Sequence, residues 1–193
     1  MSEKWRTTGI KAAIERDQSQ TSLDNAECEQ ARAKLILYHG SNVAIETIDS
    51  SKSKPGKDFG VGFYLSADEE QAQEMAEKKA LLLDGEPMVT CFEFDEAAAK
   101  ADSGIAYLRY EKYCLEWGQF VKKNRDNKGF ESLHTYDIVY GPIANDNIGL
   151  QLRRLNAEII DIEKFVDEIK LKGGETYQYF FGTEKALKYL RKL

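Results

Sequence analysis

Short runs of aliphatic and aromatic residues constrain this chain more than any other feature: KLILYHG (34–40), VGFYLS (61–66), MVTCFEFD (88–95), YDIVYGPI (136–143) and TYQYFFGT (176–183). Each has strand length and composition, and the first and fourth end on Gly or Gly-Pro. Strands must pair to satisfy their backbone groups, so these runs require a sheet. Helical patterns lie between them. SADEEQAQEMAEKKALLLDG opens on Ser66 or Asp68 as a cap, has acids in its first turn and stops at Gly85. Its stripe of Ala72, Met75, Ala76, Lys79 and Ala80 predicts close packing of small residues. Further helices are expected over 111–127, over 147–171 with a break near Asn156, and over the C-terminal TEKALKYLRKL, capped by Thr183. Strands and helices mix without strict alternation, so the expected class is α+β. The polar segment 1–33 reads as a helical or loosely ordered extension, and 34–193 as the folded domain.

Charge and cysteine usage exclude several functions. The net charge is −6, which argues against a broad basic face tracking a phosphate backbone. KKNR (122–125) and the terminal RKL read as solvated helix faces. Cys28, Cys91 and Cys114 are odd in number and far apart, so neither a disulfide framework nor a metal site is expected. No segment has the apolar length of a signal peptide or a membrane span, and a cytoplasmic protein without a membrane partner is expected.

Three features can carry chemistry. His39 ends the first strand and is followed by Gly40 and Ser41. A neutral imidazole can donate one hydrogen bond and accept another, and glycine lets a ligand approach the backbone. A core histidine followed by a turn is the alternative. DFGVGFYLS (58–66) lacks both the phosphate-loop spacing and the third glycine of a dinucleotide fingerprint. Its two glycines instead allow a sharp turn that presents Tyr64, either as a platform for an electron-poor ring or as a core aromatic. Gln178 interrupts an aromatic strand, where its amide either binds a substrate hydroxyl or faces solvent.

Together, His39-Gly40, Tyr64 and Gln178 resemble the His–Tyr–Glu signature of ADP-ribosyltransferases in the diphtheria-toxin and poly(ADP-ribose)-polymerase branch. The similarity is greatest to small bacterial ADP-ribosyltransferase-like domains of unknown function. EWGQFVKKNR, YDIVYGPIAND and QYFFGTEKAL look like their tryptophan helix, Gly-Pro-Ile-Ala-Asn-Asp stretch and terminal motif. The resemblance spans roughly residues 34–193.

It implies a split, strongly bent β-sandwich holding NAD as co-substrate, with no metal. His39 would hydrogen-bond the adenosine ribose, and Gly40, with Ser41 beside it, would offer backbone to the nicotinamide amide. Tyr64 would stack on the nicotinamide ring, and Ser66 would be a further donor to its amide. Met75 stands where relatives place a second aromatic. Gln178 replaces the glutamate that grips the ribose hydroxyl, which implies mono-ADP-ribosyl transfer to a protein, nucleic-acid or small-molecule acceptor. Glu175 is the lesser candidate for the carboxylate role. Such a protein would serve as a toxin or phage-defence effector, with an antitoxin or neighbouring-gene product as a possible partner. An NAD glycohydrolase and a catalytically silent NAD-, nucleotide- or protein-binding module are the alternatives. Trp117 is expected in the core. Asp137, Asn145 and Asp146 are expected at a strand-to-turn junction, with acceptor placement as the alternative reading.

Overall fold

The computed structural model describes residues 34–172 and 174–193. The expectation for 1–33 lies outside the described residues. The chain runs β1 (Leu35–Ser41), a 3-10 turn (Ser50–Lys52), β2 (Phe63–Ser66), α1 (Glu69–Leu83), β3 (Met88–Phe94), α2 (Glu96–Ala101), β4 (Tyr107–Arg109) and α3 (Leu115–Asp126). It continues through β5 (Ile138–Pro142), α4 (Ile148–Asn156), α5 (Ile162–Glu168), β6 (Tyr177–Phe181), α6 (Glu184–Leu187) and β7 (Leu190–Lys192). The fold is α+β.

The strands form one ladder in the order β4-β5-β6-β2-β1-β3-β7, antiparallel except for β4–β5. β1 pairs with β3 along its whole length, from Leu35 opposite Phe94 to Ser41 opposite Met88. It meets β2 at a single pair, Tyr38 opposite Ser66. The sheet therefore has a seam between β1 and β2.

Register fixes the two faces. Ser66 lies opposite both Tyr38 and Gln178, so strand alternation puts Tyr38, Gly40, Tyr64, Ser66, Gln178 and Phe180 on one face. That face packs on a core of Phe59, Trp117, Val121, Val139, Phe165 and Phe180, supplied in part by α3, α4 and α5. The opposite face buries Leu37, Phe63, Leu65, Phe92, Phe94 and Phe181, with Ala99 of α2 and Ala186 of α6.

α1 starts as expected. Asp68 caps it by accepting from the backbone of Glu70 and Gln71, and Ser66 accepts from the Asp68 N–H. Its buried Ala72 and Ala76 allow very close packing on β1. A Cβ at Gly40 would sit 1.9 Å from the Ala72 carbonyl oxygen. The break near Asn156 falls at Glu158, whose φ of 57° ends the helical path between α4 and α5.

Two expectations are corrected. The C-terminal run is not one helix: α6 ends at Leu187, and β7 then pairs with β3 at the sheet edge, where Arg191 bridges Glu93 and Lys192 bridges Glu46. The helix expected over 111–127 begins at Leu115, capped by Cys114. In addition, α2 and the three-residue β4 were too short to give a periodic signal.

Candidate functional site

The β2 approach builds the site. The chain turns at Gly60, whose φ of 97° favours glycine, and Gly62 then passes so close to β6 that a Cβ would lie 2.3 Å from the Phe180 ring. This turn presents Tyr64. Its hydroxyl donates to the Gly60 carbonyl (2.7 Å) and accepts from the Phe59 N–H (3.1 Å), so the phenol ties down the loop that precedes it. Phe59 lies roughly parallel to the Tyr64 ring and Phe180 meets it edge-on. The Lys57 ammonium stands 4.9 Å from the ring centroid. Burial and the Asp58 carboxylate push the phenol pKa well above its usual range, so Tyr64 works as a neutral ring.

Tyr64 and Gln178 share a face of adjacent strands, offset by one pleat. The Gln178 Nε2 donates to Asp58 Oδ2 (3.0 Å), and Arg125 of α3 donates through Nε to Asp58 Oδ1 (2.7 Å). Asp58 is only 5% exposed. Lys57-Asp58 thus brackets the site: the cation lies on the aromatic ring and the anion on the amide.

His39 is reached across the seam. Alternation puts its ring on the face opposite Tyr64's, where it stacks on Phe63 at 4.7 Å. Its Nδ1 lies 2.8 Å from the Tyr64 carbonyl oxygen. A carbonyl only accepts, so Nδ1 carries the proton and Nε2 keeps a lone pair. Burial, with Lys79 and Lys57 nearby, holds the His39 pKa at about 4 against the opposing bond to Tyr64. The imidazole is therefore neutral at physiological pH and offers an acceptor.

Other expected site residues are engaged elsewhere. Gly40 is sterically required by α1, and its carbonyl accepts from Lys79 Nζ at 2.7 Å. Ser41 is buried opposite Met88. The Ser66 hydroxyl serves the start of α1 and donates to Gln71 Oε1. Met75 is 46% exposed and lines a cleft of about 440 Å³ with Gln71, Lys78, Ile143 and Asn145, whose wall includes neither Tyr64 nor Gln178. Glu175 bonds the Tyr177 hydroxyl outside the strand.

The remaining motif residues hold the fold. Trp117 is buried and donates to the Pro142 carbonyl. Asn145 donates to the carbonyls of Glu168 and Lys170, pinning the β5 exit to the end of α5. Asp137 is buried, accepting from the Ala106 N–H and the Thr183 hydroxyl and pairing with Lys185. Burial opposes its ionisation, but these donors and the Lys185 ammonium hold its carboxyl below the ordinary range. Asp146 is exposed beside Lys78.

The surrounding charges are positive in an acidic protein. Lys57, Lys79 and Arg125 gather around Tyr64 and His39, with Lys54 near Lys57. Of the KKNR run expected to be solvated, Arg125 instead turns inward to Asp58. Burial, reinforced by Lys79, Arg125 and Lys54, pushes the Lys57 pKa down to about 8 from 10.5. A depressed cation has a defined linkage sign. Between those values the unfolded chain binds more protons, so stability rises with pH from about 8 to 10.5. Compared with Lys57→Met, the wild type should gain melting temperature steadily across that window. A constant difference between the two melting curves would contradict the burial of this ammonium.

Among the described residues, no group of His, Cys, Asp and Glu is arranged to hold a metal, and no helix is long and apolar enough to cross a membrane. Sequence reasoning missed Lys57, Asp58, Lys79 and Arg125. For Lys57 and Asp58 the signal was the clustering of charge with glycine in SKPGKDFG, whereas Lys79 and Arg125 read only as members of a helix stripe and of the KKNR run.

No curated protein and no solved structure matches the chain. A family model described as a protein of unknown function, DUF3990, matches residues 35–192, and the chain therefore belongs to the DUF3990 family.

Proposed function

We propose that this chain is an NAD-dependent mono-ADP-ribosyltransferase on a split ADP-ribosyltransferase-like sheet, passing ADP-ribose to a macromolecular acceptor. One observation carries the reading: a cation already lies on the Tyr64 ring, next to the Asp58–Gln178 pair. A nicotinamide riboside is a flat cation attached to a hydroxyl-bearing sugar. It needs an aromatic face and, beside it, groups that grip a hydroxyl and tolerate positive charge. The Lys57 ammonium stands in for that pyridinium. The lysines and Arg125 suit a pyrophosphate in a chain of net charge −6. The single-pair seam between β1 and β2 is where a split sheet would open; His39 bonds the Tyr64 carbonyl across it through Nδ1 and keeps Nε2 as a hydroxyl acceptor on the face opposite the Tyr64 ring.

The reaction breaks the bond from ribose C1′ to the pyridinium nitrogen, and the electron pair leaves with neutral nicotinamide. The ribosyl cation resembles that of glycoside hydrolysis. A new bond joins C1′ to the acceptor's nucleophilic atom, whose proton passes to water. Tyr64 orients the leaving ring, Gln178 takes the ribose hydroxyl, and the adjoining carboxylate favours the developing cation. The Gly40 carbonyl, which the resemblance offers to the nicotinamide amide, is engaged by Lys79, and Met75, which it offers to the second ring face, lines another cleft.

Incubating the full chain with NAD labelled on adenylate and a bacterial lysate tests the proposal. Nicotinamide release with label on protein or nucleic acid is the expected result. Free ADP-ribose alone would make the enzyme a glycohydrolase. Saturable NAD binding with no nicotinamide released would make it a binding module.

A further inference from the structure

We propose that Asp58 is the positioning residue for Gln178, the two acting as a split carboxylate–amide unit in which the loop supplies charge and β6 supplies contact. The inference rests on the NAD reading of this site.

Three observations converge on it. The pair is 120 positions apart in sequence yet bonded at 3.0 Å. A carboxylate only accepts hydrogen bonds, so Asp58 fixes the amide with Nε2 inward and leaves Oε1 as the acceptor for a ribose hydroxyl. Asp58 cannot swing away freely, because Arg125 holds its other oxygen at 2.7 Å and the side chain is 6% exposed. An amide by itself has two equivalent flips and no net charge. The same amide on an anchored carboxylate has one flip, and its oxygen is polarised toward a developing cation. Gln178 touches the substrate and Asp58 acts through it.

The unit makes a charge-swap prediction that a tether alone does not. Asp58→Asn removes the charge and frees the flip, so kcat for nicotinamide release should fall about tenfold with little change in KM. Gln178→Glu places two carboxylates in contact, where both cannot ionise comfortably. Its kcat should fall about tenfold at neutral pH and partly recover on acidification. The double variant Asp58→Asn with Gln178→Glu restores one carboxylate, one amide and one N–H···O bond. Its kcat should return to within about threefold of wild type, a coupling far from additive. Arg125→Gln loosens the tether but keeps the carboxylate beside the amide, so its melting temperature should fall and its kcat should drop by less than that of Asp58→Asn.

Additive losses in the double variant, or an unaffected Asp58→Asn enzyme, would overturn the inference while leaving the NAD reading intact. Arg125→Gln losses in kcat equal to those of Asp58→Asn would reduce Asp58 to an anchor. A wild-type chain that releases no nicotinamide would overturn both.

Discussion

Gly40→Ala should be the most destabilising single-methyl substitution in the domain. The added Cβ would lie 1.9 Å from the Ala72 carbonyl oxygen, 2.8 Å from the Ala76 N–H nitrogen and 2.9 Å from the Ala72 carbonyl carbon. All three obstacles are helix backbone, which cannot rotate aside as a side chain can. α1 must back away from β1, and the close Ala72–Ala76 packing goes with it. Overpacking of this kind costs about 3 kcal/mol, at the upper end of the usual range. For a chain of this size that corresponds to a melting-temperature drop of roughly 10 °C, read by circular dichroism. Gly149, with nothing within 4 Å of its Cβ position, supplies the control: Gly149→Ala lies inside α4 and should be neutral to stabilising. Equal melting of Gly40→Ala and wild type would mean that α1 does not lie on β1 at this distance. The result also bears on how His39-Gly40-Ser41 is understood. Its glycine is explained by helix packing, whereas its histidine is left with an acceptor nitrogen at the seam.

The distinction shows what the sequence could reveal. Residues on strands were legible because period-two alternation and apolar composition are local. LILYHGS, FYLS and YQYFF are strands as expected, and the faces of Tyr64 and Gln178 follow from their register. The small-residue stripe of α1 was legible for the same reason, through Ala72 and Ala76. The charged half of the site was not. Lys57 and Asp58 lie in an irregular loop, where no period assigns a side chain to a face. Their partners Gln178 and Arg125 are 120 and 67 positions away. Likewise β7 carries LRK, which continues a helical pattern as readily as it forms an edge strand. Only the neighbouring β3, with Glu93 opposite Arg191, decides between them.

Tyr64 should separate into a ring and a hydroxyl with different consequences. In Tyr64→Phe the ring keeps its place between Lys57 and Phe59, but the Gly60 carbonyl and Phe59 N–H lose their partner. Leaving such buried groups unpaired costs about 1–3 kcal/mol, so this variant should melt several degrees lower. Its affinity for NAD should stay within about threefold of wild type, since the stacking face survives. Tyr64→Ala removes the face itself. Stacking a flat ring on an aromatic side chain is worth about 1–3 kcal/mol, so the NAD dissociation constant should rise about 10- to 100-fold. Nicotinamide release should fall by more than that factor, because the leaving ring is no longer oriented as well as held. Calorimetric titration with NAD and a nicotinamide assay read the two effects separately. If Tyr64→Ala bound NAD as tightly as Tyr64→Phe, the ring would be ordinary core. The cation seated on it would then be a packing lysine rather than the mark of a pyridinium site.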